Sequence, residues 1–263
     1  MELQLRSIAK SYRVGNKTTE IIRDISLDVA SQQFVSIIGP SGSGKSTLLH
    51  MIGGLTLPTS GTILINGQDV TGKRGLISYM PQNDSLFPWR TVMDNIILSQ
   101  ELAGISKSSA RERAAMWLDR VGLSMFASAY PDQLSGGMRQ RVSMLRTFLS
   151  PRELMCLDEP FAALDALTRL DMQQVLLRIW EETKRSALMI THSIEEALFL
   201  SDQVYVLGGN PTTVTSIFEV PFGRPREASI TSEERFVRLK SRVYESLRRD
   251  ANHSSQASVK MSP

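Results

Sequence analysis

Polar and apolar residues alternate over Glu2 to Tyr12 and again over Ile21 to Val29, on either side of Val14-Gly15-Asn16-Lys17. A period of two interrupted by a turn predicts a pair of antiparallel strands. The pattern then changes. Phe34 to Ile38 is a compact apolar run that ends in Gly39-Pro40-Ser41-Gly42-Ser43-Gly44-Lys45, the order of a buried strand, a glycine-rich loop and a helix. Further strands are predicted at Gly61 to Asn66, Leu76 to Met80, Leu154 to Asp158, Ala187 to Thr191 and Val204 to Leu207. Several are apolar nearly throughout, as a sheet covered on both faces requires. Between Pro88 and Ser150 the texture becomes helical: Ala114, Trp117, Leu118 and Val121 fall at i, i+3, i+4 and i+7, with Arg111, Glu112, Arg113 and Asp119 between them. A second helix is predicted over Thr168 to Lys184, with Leu170, Leu177 and Trp180 on its apolar face. Past Gly208-Gly209-Asn210-Pro211 the strong strand periods are lost. A charged helical stretch, Ser232 to Arg249, leads into a Ser-rich tail whose last ten or so residues read as disordered.

These elements describe an α/β fold with a main domain over residues 1–208, a helical insertion at about 88–150, and a C-terminal extension over 209–263. Composition agrees: 263 residues with 41% hydrophobic and 22% charged side chains are too apolar for a disordered chain and long enough for a sizeable core. The single cysteine, Cys156, lies in an apolar run and cannot form an intramolecular disulfide, which suits a reducing compartment. No stretch approaches the roughly 20 apolar residues of a spanning helix, and the N-terminus lacks a basic start followed by an apolar core. Any membrane role is then expected to be peripheral. The net charge of +3 has an address, because Arg224 to Arg249 holds eight Lys or Arg against four Glu and leaves the rest near neutral. A nucleic-acid groove is not the natural reading of that distribution. A solvated C-terminal helix is, with proximity to anionic headgroups as a second possibility.

The chemistry concentrates in Gly39-Pro40-Ser41-Gly42-Ser43-Gly44-Lys45-Ser46, which fits the phosphate-loop pattern: glycines let consecutive N–H groups point at phosphate oxygens without side-chain collision. Lys45 would reach the β- and γ-phosphates, Ser46 would place its hydroxyl on Mg²⁺, and Thr47 follows in the same nucleotide site. The apolar run Leu154 to Leu157 delivers Asp158 to a sheet edge where ligands of parallel sheets gather, and Asp158 suits a Mg²⁺ shell. Glu159 would then act on, or orient, the attacking water. Taken alone, the same acidic pair could signal a helix start before Pro160.

Leu134-Ser135-Gly136-Gly137-Met138-Arg139-Gln140-Arg141 narrows the possibilities. Ser135 and the Gly136 and Gly137 N–H groups at a helix start form an anion site. Here the sequence resembles the ATP-binding cassette proteins, over roughly residues 2 to 208 and with the motifs in the family's order. The resemblance implies a phosphate-loop, RecA-like core with an N-terminal antiparallel β-subdomain and an inserted α-helical subdomain. It implies ATP and Mg²⁺ as cofactors, and a head-to-tail dimer with an identical or paralogous subunit, in which Ser135, Gly136 and Gly137 of one chain close over ATP held by the other. It further implies that Tyr12 stacks on adenine, that Gln82 touches Mg²⁺ and the water and signals to a membrane partner, that Asp165 lies in the loop exchanged between subunits, and that His192 contacts the γ-phosphate.

Several segments resemble the nitrate, sulfonate and taurine importer branch: Glu159 to Arg169, the Met172-Gln173 and Ile179-Trp180 pairs, and His192 to Leu198. The branch also takes up pyrimidine precursors. The implied role is the ATPase of an importer on the cytoplasmic face of the cell membrane, working with an integral permease and indirectly with an extracytoplasmic solute-binding protein. Asp84-Ser85-Leu86-Phe87-Pro88-Trp89 stands where such a permease would dock, although the same apolar residues could pack the helical insertion. The competing function is a regulatory or scaffold dimer gated by ATP that transports nothing. The sequence departs from the family pattern at Met138, where glutamine is common, at Ser143, Leu145 and Thr147, where small alanines are usual, and at Ser193, where aspartate is usual. None of these removes a group that hydrolysis needs.

Overall fold

The two apolar patterns of the sequence end up in different sheets. The structure, a computed structural model, describes residues 1–15 and 17–259 and divides into two units, one made of residues 1–76 with 184 onward, the other of residues 77–183. The first unit opens with strands β1 (Leu3–Val14), β2 (Lys17–Val29) and β3 (Phe34–Ile38), helix α1 (Lys45–Ile52), and strands β4 (Ser60–Ile65) and β5 (Gln68–Asp69). The second holds strand β6 (Ser78–Met80), helices α2 (Val92–Leu102), α3 (Lys107–Arg120) and α4 (Gly136–Phe148), strand β7 (Leu154–Asp158) and helix α5 (Ala166–Thr183). The first unit is completed by strand β8 (Ser186–Ile190), helix α6 (Ile194–Leu200), strands β9 (Gln203–Gly208) and β10 (Thr213–Glu219), and helix α7 (Glu234–Val259).

In the first unit the alternating stretches pair as an antiparallel sheet in the order β2-β1-β4-β5. Leu3, Leu5 and Ile8 of β1 and Ile22, Ile25, Leu27 and Val29 of β2 are buried, which is the period-two pattern at work. The apolar runs form the second sheet, in which β3 lies parallel to both β8 and β9 and β10 pairs antiparallel to β9. Every residue of β3 and β8 is buried, so both strands tolerate apolar side chains on either face. Strand β10 is not anticipated by sequence. None of its residues is fully buried, and its polarity does not follow its faces, since Ser216 lies on the half-buried side with Phe218 while Ile217 is 52% exposed.

The C-terminal extension is stitched to the first unit by side chains. Phe236, Leu239 and Val243 of α7 pack with Ile38, Ala197, Leu198, Val204, Val206 and Val220. The buried guanidinium of Arg226 donates to the carbonyls of Leu198 at 3.1 Å, Phe199 at 3.0 Å and Ser201 at 2.7 Å. Carbonyls at a helix C-terminus have no intrahelical partner, and a cation there is favoured by the helix dipole. Arg224 donates to Leu200 O at 2.6 Å and to Asp202, whose other oxygen accepts the Phe34 N–H at 2.9 Å. The serine-rich tail continues as helix to Val259, ten residues past the predicted end of the charged stretch; residues 260–263, also read as disordered, lie outside the described residues.

The second unit brings β6 and β7 side by side in parallel, Ser78 opposite Met155 and Met80 opposite Leu157. Ala114, Trp117, Leu118 and Val121 are buried as their spacing predicts. Leu170 is not on the apolar face of α5: it is 45% exposed, and the buried stripe consists of Met172, Leu176, Leu177, Ile179 and Trp180. The unit is wider than the predicted insertion at 88–150 because it takes in β6, β7 and α5. Among the described residues no helix is long and apolar enough to cross a membrane.

Candidate functional site

In the first unit, backbone geometry builds the phosphate loop. Gly42 and Gly44 have φ of 78° and 79°, in the left-handed region that favours glycine. Gly39 is required by close approach, since a Cβ there would sit 2.7 Å from the Leu207 carbonyl oxygen. The loop ends as α1 begins at Lys45, so Ser46 and Thr47 occupy its first turn, both half-buried. The Lys45 ammonium is drawn inward and donates to Gly39 O at 2.9 Å, Pro40 O at 2.7 Å and Ser43 Oγ at 3.5 Å. Three donors on one ammonium meet three loop oxygens, which fixes the charge inside the loop. Ser41 and Gly42 are exposed, and Ser43 is buried.

Two other predicted residues belong to this unit. Tyr12 stands in the β1–β2 hairpin opposite Thr19, 43% exposed, with Lys10 Nζ 5.0 Å from its ring centroid. It is not a core side chain. His192, just past β8, is exposed at the start of the turn into α6. That turn is tightly held: Ser193 N–H donates to Thr191 Oγ1 at 3.0 Å, Thr191 donates to the buried Glu196 at 2.5 Å, and Ser193 Oγ caps α6 by accepting the Glu196 N–H at 3.2 Å. Serine and aspartate are both strong N-caps, so the departure to Ser193 leaves the start of α6 capped.

The second unit brings Gln82, Asp158 and Glu159 together. Because β6 and β7 are parallel, their C-terminal ends lie together, and Gln82 Nε2 donates to Glu159 Oε2 at 3.3 Å. Glu159 has φ of 47°, a left-handed conformation that costs a non-glycine residue on the order of 1 kcal/mol. The chain bends there immediately after delivering Asp158, which is 2% exposed at the end of β7. Burial, then the charge of Asp158 beside it, pushes the Tyr79 phenol well above its ordinary range, so it stays a neutral donor toward that carboxylate. Burial alone pushes the Cys156 thiol up in the same way, and as a protonated thiol it acts as a small core residue.

Ser135 is the N-cap of α4, its Oγ accepting the Met138 N–H at 3.3 Å, and Ser135 and Gly136 are exposed. Packing within the unit does not demand glycine here, because a Cβ on Gly137 would meet only Leu164 Cδ2 at 3.6 Å. Asp165 is exposed and caps α5 by accepting the Thr168 N–H at 3.0 Å; hydrogen bonds from the Thr168 hydroxyl and N–H hold its carboxyl below the usual range. On α4, Ser143 is buried with no hydrogen bond to its hydroxyl among the described residues, while Thr147 Oγ1 bonds back to Ser143 O at 3.0 Å.

Sequence reasoning missed the side chains that hold these pieces. Gln140, 2% exposed, donates to Pro160 O at 2.9 Å and so ties α4 to the Glu159 turn. Asn95, fully buried, accepts the Phe87 N–H at 2.8 Å and donates to the carbonyls of Phe87, Arg90 and Thr91 at 3.0–3.1 Å. Arg139 pairs with Asp84 at 2.8 Å, and Arg146 donates to Ser85 O at 2.9 Å and Asp84 O at 3.0 Å. The one available signal was Asn95 itself, a polar residue set between Val92 and Ile96-Ile97 on an apolar stripe.

The sequence pattern of the ABC transporter family matches residues 22–162, more than half of the chain. The chain belongs to the ABC transporter family. As a member it binds and hydrolyses ATP. The ATPase is 39% identical over 257 residues to the nitrate import ATP-binding protein NrtD of Synechococcus elongatus, covering 95% of this chain and 93% of that protein. It is 44% identical over 203 residues to the taurine import ATP-binding protein TauB of Yersinia pestis, covering 77% and 80% respectively. Among solved structures, the dimeric post-hydrolysis state of the ATP-binding cassette MJ0796 bound to ADP and Pi matches with a TM-score of 0.74 and 29% identity, over 84% of this chain and all of that one. The hydroxyl of Ser46, the carboxylate of Asp158 and the amide oxygen of Gln82 are each hard oxygen donors, the chemistry that Mg²⁺ takes. No group of three or more His, Cys, Asp or Glu among the described residues could hold a metal without help. Mg²⁺ characteristically takes one or two carboxylates and completes its shell with phosphate and water.

Proposed function

We propose that this ATPase powers import of a small solute through a separate membrane permease, from the cytoplasmic face of the cell membrane. Relatives named for nitrate and taurine import support a small anion of the nitrate or sulfonate kind as the solute. A pyrimidine-precursor-like solute is the less supported choice. Two cassettes, identical or paralogous, pack head to tail, and Ser135, Gly136 and Gly137 of each cover the ATP held by the other. Tyr12 stacks on adenine, the loop from Gly39 to Ser46 wraps the phosphates, and Thr47 extends that site. Ser46, Asp158 and Gln82 would hold Mg²⁺, which would supply positive charge against the phosphates. Glu159 orients a water and accepts its proton as the water oxygen bonds to the γ-phosphorus, while the bond to the bridging oxygen breaks and ADP leaves. Lys45 and His192 offset charge on the γ-phosphate, and Asp165 lies in the loop exchanged between the cassettes.

The observation that carries transport is the Phe87–Trp89 pair. Trp89 is 71% exposed, its ring 5.3 Å from that of Phe87, on a loop anchored from below by Asn95 and following Gln82 in sequence. Beside it lies a cleft of about 210 Å³ lined by Tyr79, Phe87, Leu98, Leu102 and Arg146. A rigid loop presenting exposed aromatic bulk beside a cleft is the kind of surface that receives a short helix of a partner, here a cytoplasmic helix of the permease. An extracytoplasmic solute-binding protein then delivers the solute to that permease. Affinity purification from detergent-solubilised membranes tests the proposal: a multi-span protein should co-purify, and should be lost with Trp89→Ala. Recovery of only soluble partners would favour an ATP-gated regulatory dimer instead.

A further inference from the structure

The second unit contains a cleft of about 450 Å³ between the end of α3, the middle of α4 and the stretch of α5 from Thr168 to Arg178. Its lining includes Arg120, Arg141 and Arg178, with Asp171 as its one carboxylate, while Met172 and Val175 give it an apolar floor. Arg141 donates to Val121 O at 2.7 Å, yet its Nε–H is buried without a hydrogen-bond partner among the described residues. Arg178 has neither a hydrogen bond nor an ion pair among the described residues. Arg120 is loosely held, stacked 4.3 Å above Trp117 and 3.5 Å from the exposed Glu182.

Three guanidiniums in one concavity repel each other, and a single lining carboxylate, Asp171, stands against them. An oxyanion relieves that repulsion, because guanidinium binds it through two parallel hydrogen bonds. The volume lies within the range of small-molecule sites, and the apolar floor suits a carbon skeleton. We propose that this cleft is an effector site for a small organic acid with two oxyanion groups, one bound by Arg141 and the other by Arg178. Such a ligand links α4, which begins at Ser135, to α5, which begins just after Asp165. Gln140, the neighbour of Arg141, holds the Glu159 turn through Pro160 O. Occupancy therefore stiffens the support of Glu159 and slows turnover.

The test uses the whole ATPase saturated with a non-hydrolysable ATP analogue, so that the phosphate loop does not compete. Succinate, citrate, 3-phosphoglycerate and inorganic phosphate are titrated by calorimetry up to about 5 mM, near the weak end of specific affinity. At least one of the three organic acids should bind, and Arg178→Ala should weaken it roughly tenfold or more while leaving the melting temperature and basal ATPase rate unchanged. Arg178→Glu should abolish it. The bound acid should lower kcat about two- to fivefold with the KM for ATP unaltered, which a general salt effect would not do. Binding by none of the three acids, binding that survives Arg178→Glu, or inorganic phosphate binding as tightly as the acids would each overturn the proposal.

Discussion

The phosphate loop and the segment from Gln82 to Thr91 are both short irregular stretches that follow a buried strand, yet they are held in opposite ways. The loop from Gly39 to Ser46 is shaped by its own backbone, with two left-handed glycines, one glycine pressed against Leu207 O, and a lysine bonded to oxygens no more than six residues away. The segment after Gln82 is shaped by side chains from elsewhere: Asn95, and Arg139 and Arg146 of α4, up to 62 residues distant. A structure written in backbone conformation requires particular residues at particular spacings, so it survives as a motif. One written in distant hydrogen bonds does not. On the proposed function, the first kind carries the chemistry and the second meets the permease.

The largest expected effects fall on the backbone-built side. Lys45→Ala removes the ammonium fixed within the loop and should lower kcat/KM for ATP by roughly a thousandfold in a steady-state ATPase assay, with the fold intact by circular dichroism. Glu159→Gln keeps the shape of the turn and its contact with Gln82 but removes the proposed base. It should lower kcat about a hundredfold or more while ATP still drives dimer formation on size exclusion, and normal hydrolysis would sink the base assignment.

On the other side, Asn95→Ala should hardly touch the phosphate chemistry but should destabilise the protein by about 2–4 kcal/mol in urea unfolding, because it deletes four hydrogen bonds and strands partly buried backbone groups of residues 87–91. Asn95→Asp sharpens the point: it keeps the acceptor for Phe87 N–H but loses every donor, so its cost should stay close to that of alanine. If either variant behaved like wild type, the segment would not depend on side-chain anchoring.

The same distinction explains what was legible in the sequence. The strands Phe34–Ile38 and Leu154–Asp158 match their predicted bounds because a fully buried strand is a bounded apolar run. Motif order marks Ser135 and Asp165 as site residues, and the structure adds that both are helix caps, a local role that residue type and position already encode. What stayed illegible depends on partners far along the chain. Strand β10 puts Ser216 on its half-buried side and Ile217 on its exposed side, Arg226 reads as surface charge until its guanidinium is found on the last carbonyls of α6, and Gln140 reads as a polar helix residue until it is found on Pro160 O. Leu170 failed in the other direction, since its spacing suited an apolar face that packing did not use.

The smallest stability effect is expected at Trp89, and it separates anchoring from docking. With 71% of its surface exposed and Phe87 as its ring neighbour, Trp89 contributes little to the fold, so Trp89→Ala should change the unfolding free energy by no more than about 0.5 kcal/mol and leave basal ATP hydrolysis intact. An aromatic side chain that the fold does not need is the kind that anchors interfaces, where removing it costs binding and not stability. Solute uptake into cells or reconstituted vesicles should therefore fall severalfold at unchanged basal hydrolysis. A loss of stability above about 1 kcal/mol would mean that Trp89 packs in the protein's own core, and the division between an anchored segment and its docking tip would fail. Unchanged uptake with unchanged stability would leave the anchoring by Asn95 standing and move the permease surface elsewhere, with Leu102, 82% exposed at the edge of the 210 Å³ cleft, the next residue to replace.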